Sequence, residues 1–222
     1  MDTQGWARLA PLSGVVAVAL WIVGIVIIEA SDSPATKAPA SEILAWMNDN
    51  TTAIIVAGWL FLLGSGAAIW FLGSLRAALA RAEGPEARLS SVGFAAGVGA
   101  TLCWSFLIVP TISAAMAIEY DNRVLSEAAA ETLYVVGNGF FLAGELMLAA
   151  AAAATAIVVL RHAALPRWYG WVTALYALAL AVIFVGWLAF IFATPVWILL
   201  TAGLLWRGQS APAAGEAGTA TA

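Results

Sequence analysis

Charged residues are scarce in this chain, and their scarcity excludes most soluble folds. Only 10% of the 222 residues are charged and 63% are hydrophobic, against about 25% and about 45–50% in an ordinary soluble domain. A soluble fold cannot bury so much apolar surface. The mean hydropathy of +0.95 and the 11 tryptophans favour a membrane, because tryptophan concentrates at membrane interfaces. The composition therefore predicts an integral membrane protein.

Cysteine, histidine and lysine each occur once, which removes several classes of site. Cys103 cannot form an internal disulfide or a CxxC motif. A lone His162 cannot supply a bis-histidine haem or a histidine-rich metal cluster within one chain, although an oligomer could share ligands. Lys37 lies in a loop, so a retinal Schiff base has no buried lysine. Basic runs and glycine-rich phosphate loops are absent too. We therefore expect no nucleic-acid partner, no metal and no cofactor.

The motifs of intramembrane enzymes are also missing. The chain has no HExxH, no pair of intramembrane aspartates and no serine matched with a membrane histidine. We therefore expect a protein that is not an enzyme.

Long apolar segments divide the chain into membrane spans, each of about 20 residues for a hydrocarbon core of ~30 Å. Four such segments precede an uncharged run over 168–206, which as a single helix would be about 58 Å long. That length is nearly twice the core thickness. We interpret the run as a tight hairpin with its turn between Gly186 and Pro195, because glycine and proline are the available breakers.

The sequence thus predicts an all-α bundle of six transmembrane helices. Their ranges are about 9–29, 52–80, 90–118, 132–161, 168–187 and 189–206, and a disordered cytoplasmic tail follows over 209–222. We expect the first segment to be retained, because the cleavage-like Ala38-Pro39-Ala40 triplet lies about ten residues beyond the apolar run. A short helix from Ser41 to Asn50 is expected to lie on the membrane interface or cover the bundle, with a partner-binding motif as the alternative.

The basic residues predict the orientation of this bundle, because lysine and arginine accumulate in cytoplasmic loops. With six helices and a cytoplasmic N-terminus, Lys37 and Arg123 are the only basic residues on the outer side. The inner side receives Arg8, Arg76, Arg81, Arg88, Arg161, Arg167 and Arg207. Both termini are therefore predicted to be cytoplasmic.

Glu145 is the only fully charged side chain inside a long apolar segment. It lies between Glu131 and Arg161 and is expected near the bilayer midplane, where an acid costs roughly 2.5–3.5 kcal/mol and marks a candidate functional site. Asn138 precedes it by two helical turns and so shares its helix face. No basic side chain lies in any span, so we expect the acid to be neutral near pH 7.

Two roles stay open for Glu145. It could hydrogen-bond across the bundle as a structural group, or form a proton, cation or polar-ligand site with Asn138. The candidate hydroxyl partners on the third helix are Thr101, Ser105, Thr111 and Ser113. Gly93 and Gly97 on that helix have GxxxG spacing, which indicates close packing within the chain or a homo-oligomer seam.

Three segments carry a resemblance to a known family. They are Ile43-Leu44-Ala45-Trp46 in the first outer loop, the helix end Trp70-Phe71-Leu72-Gly73-Ser74-Leu75-Arg76, and the junction Leu165-Pro166-Arg167-Trp168-Tyr169-Gly170-Trp171. The chain resembles small polytopic membrane proteins, common in actinobacteria, that are grouped as a domain of unknown function. The resemblance covers nearly the whole chain and implies a multi-pass protein of a bacterial plasma membrane. It implies no activity.

The sequence therefore favours a non-enzymatic protein of the lipid bilayer that binds a lipid or a partner, either a second copy or another membrane subunit. The alternative is a small transporter or channel in which Glu145 binds a proton, a cation or a ligand.

Overall fold

The computed structural model describes residues 9–35, 37–182 and 184–210. Every regular element in these ranges is helical, which confirms the all-α class there. The helices are α1 (Ser13–Glu29), α2 (Ala40–Asp49), α3 (Thr51–Glu83), α4 (Arg88–Asp121), α5 (Glu127–His162), α6 (Arg167–Ala181), α7 (Gly186–Leu188) and α8 (Thr194–Ser210). A 3-10 turn, Ala10–Leu12, leads into α1, and a π-helical turn, Ala189–Ala193, joins α7 to α8. Apart from the last two residues of α8, the predicted tail over 209–222 lies outside the described residues.

Five helical stretches within the described ranges are long and apolar enough to cross a membrane. They are Ala10–Glu29, Thr51–Glu83, Arg88–Asp121, Glu127–His162 and Gly186–Gly208. The helix α6 is not among them, because its 15 residues extend only about 22 Å. Several span-capable helices indicate a multi-pass membrane protein, whereas the predicted sixth span is not confirmed.

The helices α3, α4 and α5 run antiparallel and pack through small residues. Gly97 lies against the Leu72 side chain and Gly93 against Ala154, so both residues of the GxxxG pair pack within the chain. The α3–α4 connection is closed by Glu83, whose carboxylate accepts the N–H of Leu89 at 2.7 Å. We name the side of this connection the arginine end of the bundle and the side of the α4–α5 connection the acidic end.

The helix α2 covers the acidic end, as one of the two structural interpretations of this segment expects. Its Ile43, Trp46 and Met47 are buried in a cluster that includes residues of α3, α4 and α5. The helix begins at Ala40, one residue before the predicted start at Ser41. The reason is that the carbonyl of Pro39 accepts the first free N–H groups, from residues 42 and 43, at 3.0 and 3.2 Å.

The helices α6 and α8 form the predicted hairpin. Three side-chain hydrogen bonds join them: the hydroxyls of Tyr169 and Thr201 (2.5 Å), the Trp197 indole N–H to Thr173 (3.2 Å), and the hydroxyls of Tyr176 and Thr194 (2.6 Å). As the residue number rises on α6 the partner's number falls on α8, so the two helices are antiparallel.

The helix α6 ends at Ala181, and the carbonyl of Val182 accepts the N–H groups of Val185 and Gly186, so the chain turns before the predicted window of Gly186 to Pro195. Gly186 begins the next helical turn instead of ending the previous one. Pro195 lies just after the π-helical turn, inside the continuous helical stretch Gly186–Gly208, so this proline does not end the helix. The predicted helix ranges 168–187 and 189–206 are corrected accordingly.

The tip of the hairpin reaches only halfway along the bundle. Gly186 adjoins Glu145, which lies about 27 Å from Glu127 and about 26 Å from His162 along α5. Phe190 packs on Trp104, near the middle of α4, with 4.2 Å between ring centroids. The hairpin therefore occupies the arginine-end half, and only α1 to α5 surround the other half.

Candidate functional site

Glu145 is buried in the middle of α5 with 3% of its surface exposed. Among the described residues, no hydrogen-bond partner of its carboxyl is found. The predicted partners on α4 bond their own helix: Thr101 donates to the Gly97 carbonyl at 2.9 Å and Ser105 to the Thr101 carbonyl at 3.0 Å. Ser113 likewise donates within α4. Three of the four hydroxyls proposed as structural partners therefore donate within their own helix.

The Glu145 carboxyl points at the break between α6 and α7. A Cβ at Gly186 would overlap Oε1 of Glu145 and lie 2.7 Å from its Cδ. The same point is 2.8 Å from the carbonyl oxygen of Leu180. Only glycine permits this approach, so the missing side chain of Gly186 lets a carboxyl oxygen and a backbone carbonyl oxygen converge.

This convergence of two acceptors has a defined chemistry. The helix α6 ends at Ala181, so its last carbonyls lack helical partners and form the negative end of the helix dipole. Both oxygens border the position that a Gly186 Cβ would occupy, and a positive charge at that position would be attracted to both. A protonated Glu145 could donate to the Leu180 carbonyl, and an ionised one could bind a small cation together with it. Interrupted membrane helices bind sodium ions and protons in this manner.

An aromatic cluster fixes the helices beside the hairpin tip. Trp21 stacks on Trp104 with ring centroids 4.9 Å apart and an interplanar angle of 5°. Phe190 contacts Trp104 and also Phe141, at 4.8 Å between centroids. Because Phe190 belongs to the π-helical turn, this irregular segment is anchored to α4 and α5. Single π-helical turns inside membrane helices are frequent at functional sites.

Asn138 does not join Glu145, although the two share a helix face. It is exposed, donates to the Tyr134 carbonyl at 3.2 Å, and lies about 10 Å from Glu145 along the helix axis. Asn138 instead lines a cavity of about 220 Å³ at the acidic end. Asn138 and Glu145, which were predicted to form one site, therefore lie at two separate sites.

Metal ligands are not clustered in the part of the chain that the structure describes. No group of three or more histidine, cysteine, aspartate or glutamate residues that could hold a metal ion occurs there. Cys103 lies against Gly144, at 3.2 Å from the position of a Cβ on that glycine, and thus belongs to the α4–α5 contact.

No family model, curated protein or solved structure matches this chain. The resemblance to the actinobacterial membrane proteins therefore stays a prediction.

Sequence reasoning missed Gly186 and the Leu180 carbonyl as parts of this site. One signal was present: Gly186 is the only glycine between Gly170 and Gly203 in the uncharged run. Its pairing with Glu145 could not be read from the sequence, because it depends on how deep the hairpin reaches along α5.

Proposed function

We propose that this protein is a small transporter or channel for protons or monovalent cations, with Glu145 as its ion site. The supporting observation is the convergence of the Glu145 carboxyl and the Leu180 carbonyl on one point at the end of α6. A buried acid at an interrupted helix is the arrangement that membrane transporters use for coupling ions. The geometry thus favours the second of the two functions left open by the sequence. Lipid or partner binding, and the absence of enzymatic activity, stay predictions.

The proposal includes a topology for a bacterial plasma membrane. The helices α1, α3, α4 and α5 cross the bilayer, and the α6–α8 hairpin enters and leaves from the arginine end without crossing. Both termini then stay cytoplasmic and the arginines keep the side that six spans would assign to them. Non-helical backbone at the depth of Glu145 requires protein or a water-filled cavity around it, so water is expected to reach the hairpin tip from one side.

The test is ion flux through the purified chain in liposomes. Proton, sodium and potassium gradients are imposed in turn, and flux is followed with a pH-sensitive dye and with ion-selective electrodes. The Glu145→Gln variant keeps the side-chain volume and the hydrogen-bonding groups but removes the ionisable one. We expect it to lower the flux at least about tenfold, because an intramembrane acid on an ion path contributes its charge.

A matched control is Glu131→Gln, which removes an exposed acid from the same helix. It should leave both flux and stability unchanged. Flux by the native chain that survives Glu145→Gln would contradict the assignment of the site. Absence of flux for all three ions would contradict the proposed function itself.

A further inference from the structure

A second cavity lies in the half of the bundle that the hairpin does not reach. Its volume is about 220 Å³, and its lining residues come from α1 to α5 and from the α1–α2 loop, with none from the described part of the hairpin. We name this cavity the vestibule. Its most informative lining residues are Glu29, Trp46, Phe61, Leu107, Tyr134 and Asn138.

Two aromatic rings form one corner of the vestibule. Trp46 and Tyr134 meet edge to face, with centroids 6.4 Å apart and planes at 77°. Their polar atoms are both used by the α1–α2 loop. The Trp46 indole N–H donates to the Ser31 carbonyl at 3.0 Å, and the Tyr134 hydroxyl donates to the Pro34 carbonyl at 2.7 Å. The rings are therefore held in fixed positions, with their polar groups directed to the loop.

Among the described residues, the charged part of the lining is Glu29 at the end of α1, and no described lysine, arginine or histidine lines the cavity. Asn138 uses one amide hydrogen on the Tyr134 carbonyl, which leaves its amide oxygen as a further acceptor. Phe61 and Leu107 add apolar walls. The described lining thus combines one carboxylate, two anchored aromatic rings, apolar surface and the hydroxyl groups of Ser33 and Thr111.

We propose that the vestibule binds an organic ammonium group, either a short free amine or quaternary ammonium compound or the ammonium head group of a phospholipid. Aromatic rings attract such a cation through their quadrupole, and Glu29 adds a full negative charge, while the apolar walls contact its carbon substituents. A volume of about 220 Å³ is many times the ~10–15 Å³ that a single water needs by this measure, enough for a trimethylammonium group with a short chain. An anion would be repelled by the Glu29 carboxylate and would find no basic group among the described lining residues, and calcium or magnesium would need six or more oxygen ligands.

Calorimetric titration of the purified full chain with choline tests whether the positive charge of the ligand contributes to its binding. The chain is held in maltoside micelles, which contain no ammonium group, and 3,3-dimethylbutan-1-ol serves as an uncharged compound of the same shape. We expect choline to bind at least about fivefold more tightly than the alcohol. Glu29→Gln should abolish this preference, since it removes the charge but keeps the shape. Glu42→Gln, which removes an exposed acid of α2 outside the lining, should leave it intact.

The contribution of the aromatic rings is tested with a conservative substitution, because Trp46 is buried and a smaller side chain could disturb the fold. Trp46→Phe keeps a ring and is expected to weaken choline binding about two- to fivefold, with unchanged binding of the alcohol. Circular dichroism of each variant establishes that it is folded. Equal affinity of the native chain for choline and the alcohol, or a preference unchanged in Glu29→Gln, would overturn the proposal.

The two sources of the ammonium group are separated in nanodiscs. In phosphatidylglycerol discs, which lack ammonium, saturable choline binding indicates a free ligand. Retention of phosphatidylethanolamine during purification from mixed bilayers, with its release by choline, indicates a lipid head group. If choline binds in neither micelles nor discs, the proposal is refuted. The vestibule is separate from the proposed ion site, since Glu145 is not among its lining residues. Glu145→Gln is therefore expected to leave choline binding unchanged.

Discussion

Replacing Gly186 by alanine tests the contact on which the ion site depends. The new Cβ would overlap Oε1 of Glu145 and lie 2.7 Å from its Cδ and 2.8 Å from the Leu180 carbonyl oxygen. Ordinary contacts of a Cβ begin at 3.4 Å. The carbonyl must therefore retreat by about 0.6 Å, and the carboxyl must leave the point of convergence, because packed interiors leave little space for such shifts.

The expected loss of unfolding free energy in Gly186→Ala depends on which of the contacted atoms can move away from the new Cβ. The Glu145 side chain can rotate away, but the Leu180 carbonyl is backbone and moves only with the end of α6. Overpacking of this kind costs about 1–3 kcal/mol, and we expect about 2 kcal/mol for Gly186→Ala. The matched control is Gly203→Ala on α8, where a Cβ meets nothing within 4 Å. It should be neutral or stabilise by up to about 1 kcal/mol, because alanine favours a helix over glycine.

The assay is reversible unfolding in mixed detergent micelles, with the free energy of unfolding compared between variants. A double-mutant cycle with Glu145→Ala separates the two contacts. Removing the carboxyl should reduce the cost of Gly186→Ala by about 1 kcal/mol and leave the part due to the Leu180 carbonyl. If Gly186→Ala is as stable as Gly203→Ala, or if the cycle shows no coupling, the reasoning about this contact is refuted.

Two further predictions concern the packing and the depth of the hairpin. Gly137→Ala places a Cβ onto a backbone carbonyl of α4 and should cost about 1–3 kcal/mol in the same unfolding assay. Gly139→Ala, which meets nothing within 4 Å, should cost nothing. In a Cys103→Ala background, a charged thiol reagent applied from the acidic side should label Phe184→Cys at least about tenfold more slowly than Asn122→Cys. The reason is that the hairpin tip lies at mid-depth and only a narrow water path reaches it; equal rates would contradict the half-depth hairpin.

The hairpin of α6 and α8 could be predicted from the sequence, but the position of its turn could not. The length of the uncharged run required a reversal of the chain, and the structure confirms the antiparallel pair α6 and α8. The position of the turn was wrong, because Gly186 and Pro195 were treated as interchangeable breakers. Pro195 lies inside a continuous helical stretch, and this glycine serves the approach of Glu145. Such a distinction depends on neighbours that are distant in the sequence.

The surroundings of Glu145 and Asn138 also depended on neighbours that are distant in the sequence. Helical spacing correctly places both residues on one face of α5. It cannot predict which parts of the other helices pack against that face at the position of each residue. Hydroxyl groups on α4 were plausible partners by composition, whereas three of the four satisfy carbonyls one turn earlier on their own helix. The exposed Asn138 faces the vestibule, and the buried Glu145 faces the end of α6.

The sequence by itself determined that the chain is helical and apolar, and that one acid lies in the middle of a long apolar segment, because these follow from composition and periodicity along the chain. Only the tertiary structure decided that the last hairpin ends at the level of Glu145, which creates both the contact with Gly186 and the vestibule beyond it. The depth of a hairpin is set by packing between helices, such as Phe190 against Trp104, and no local pattern encodes it.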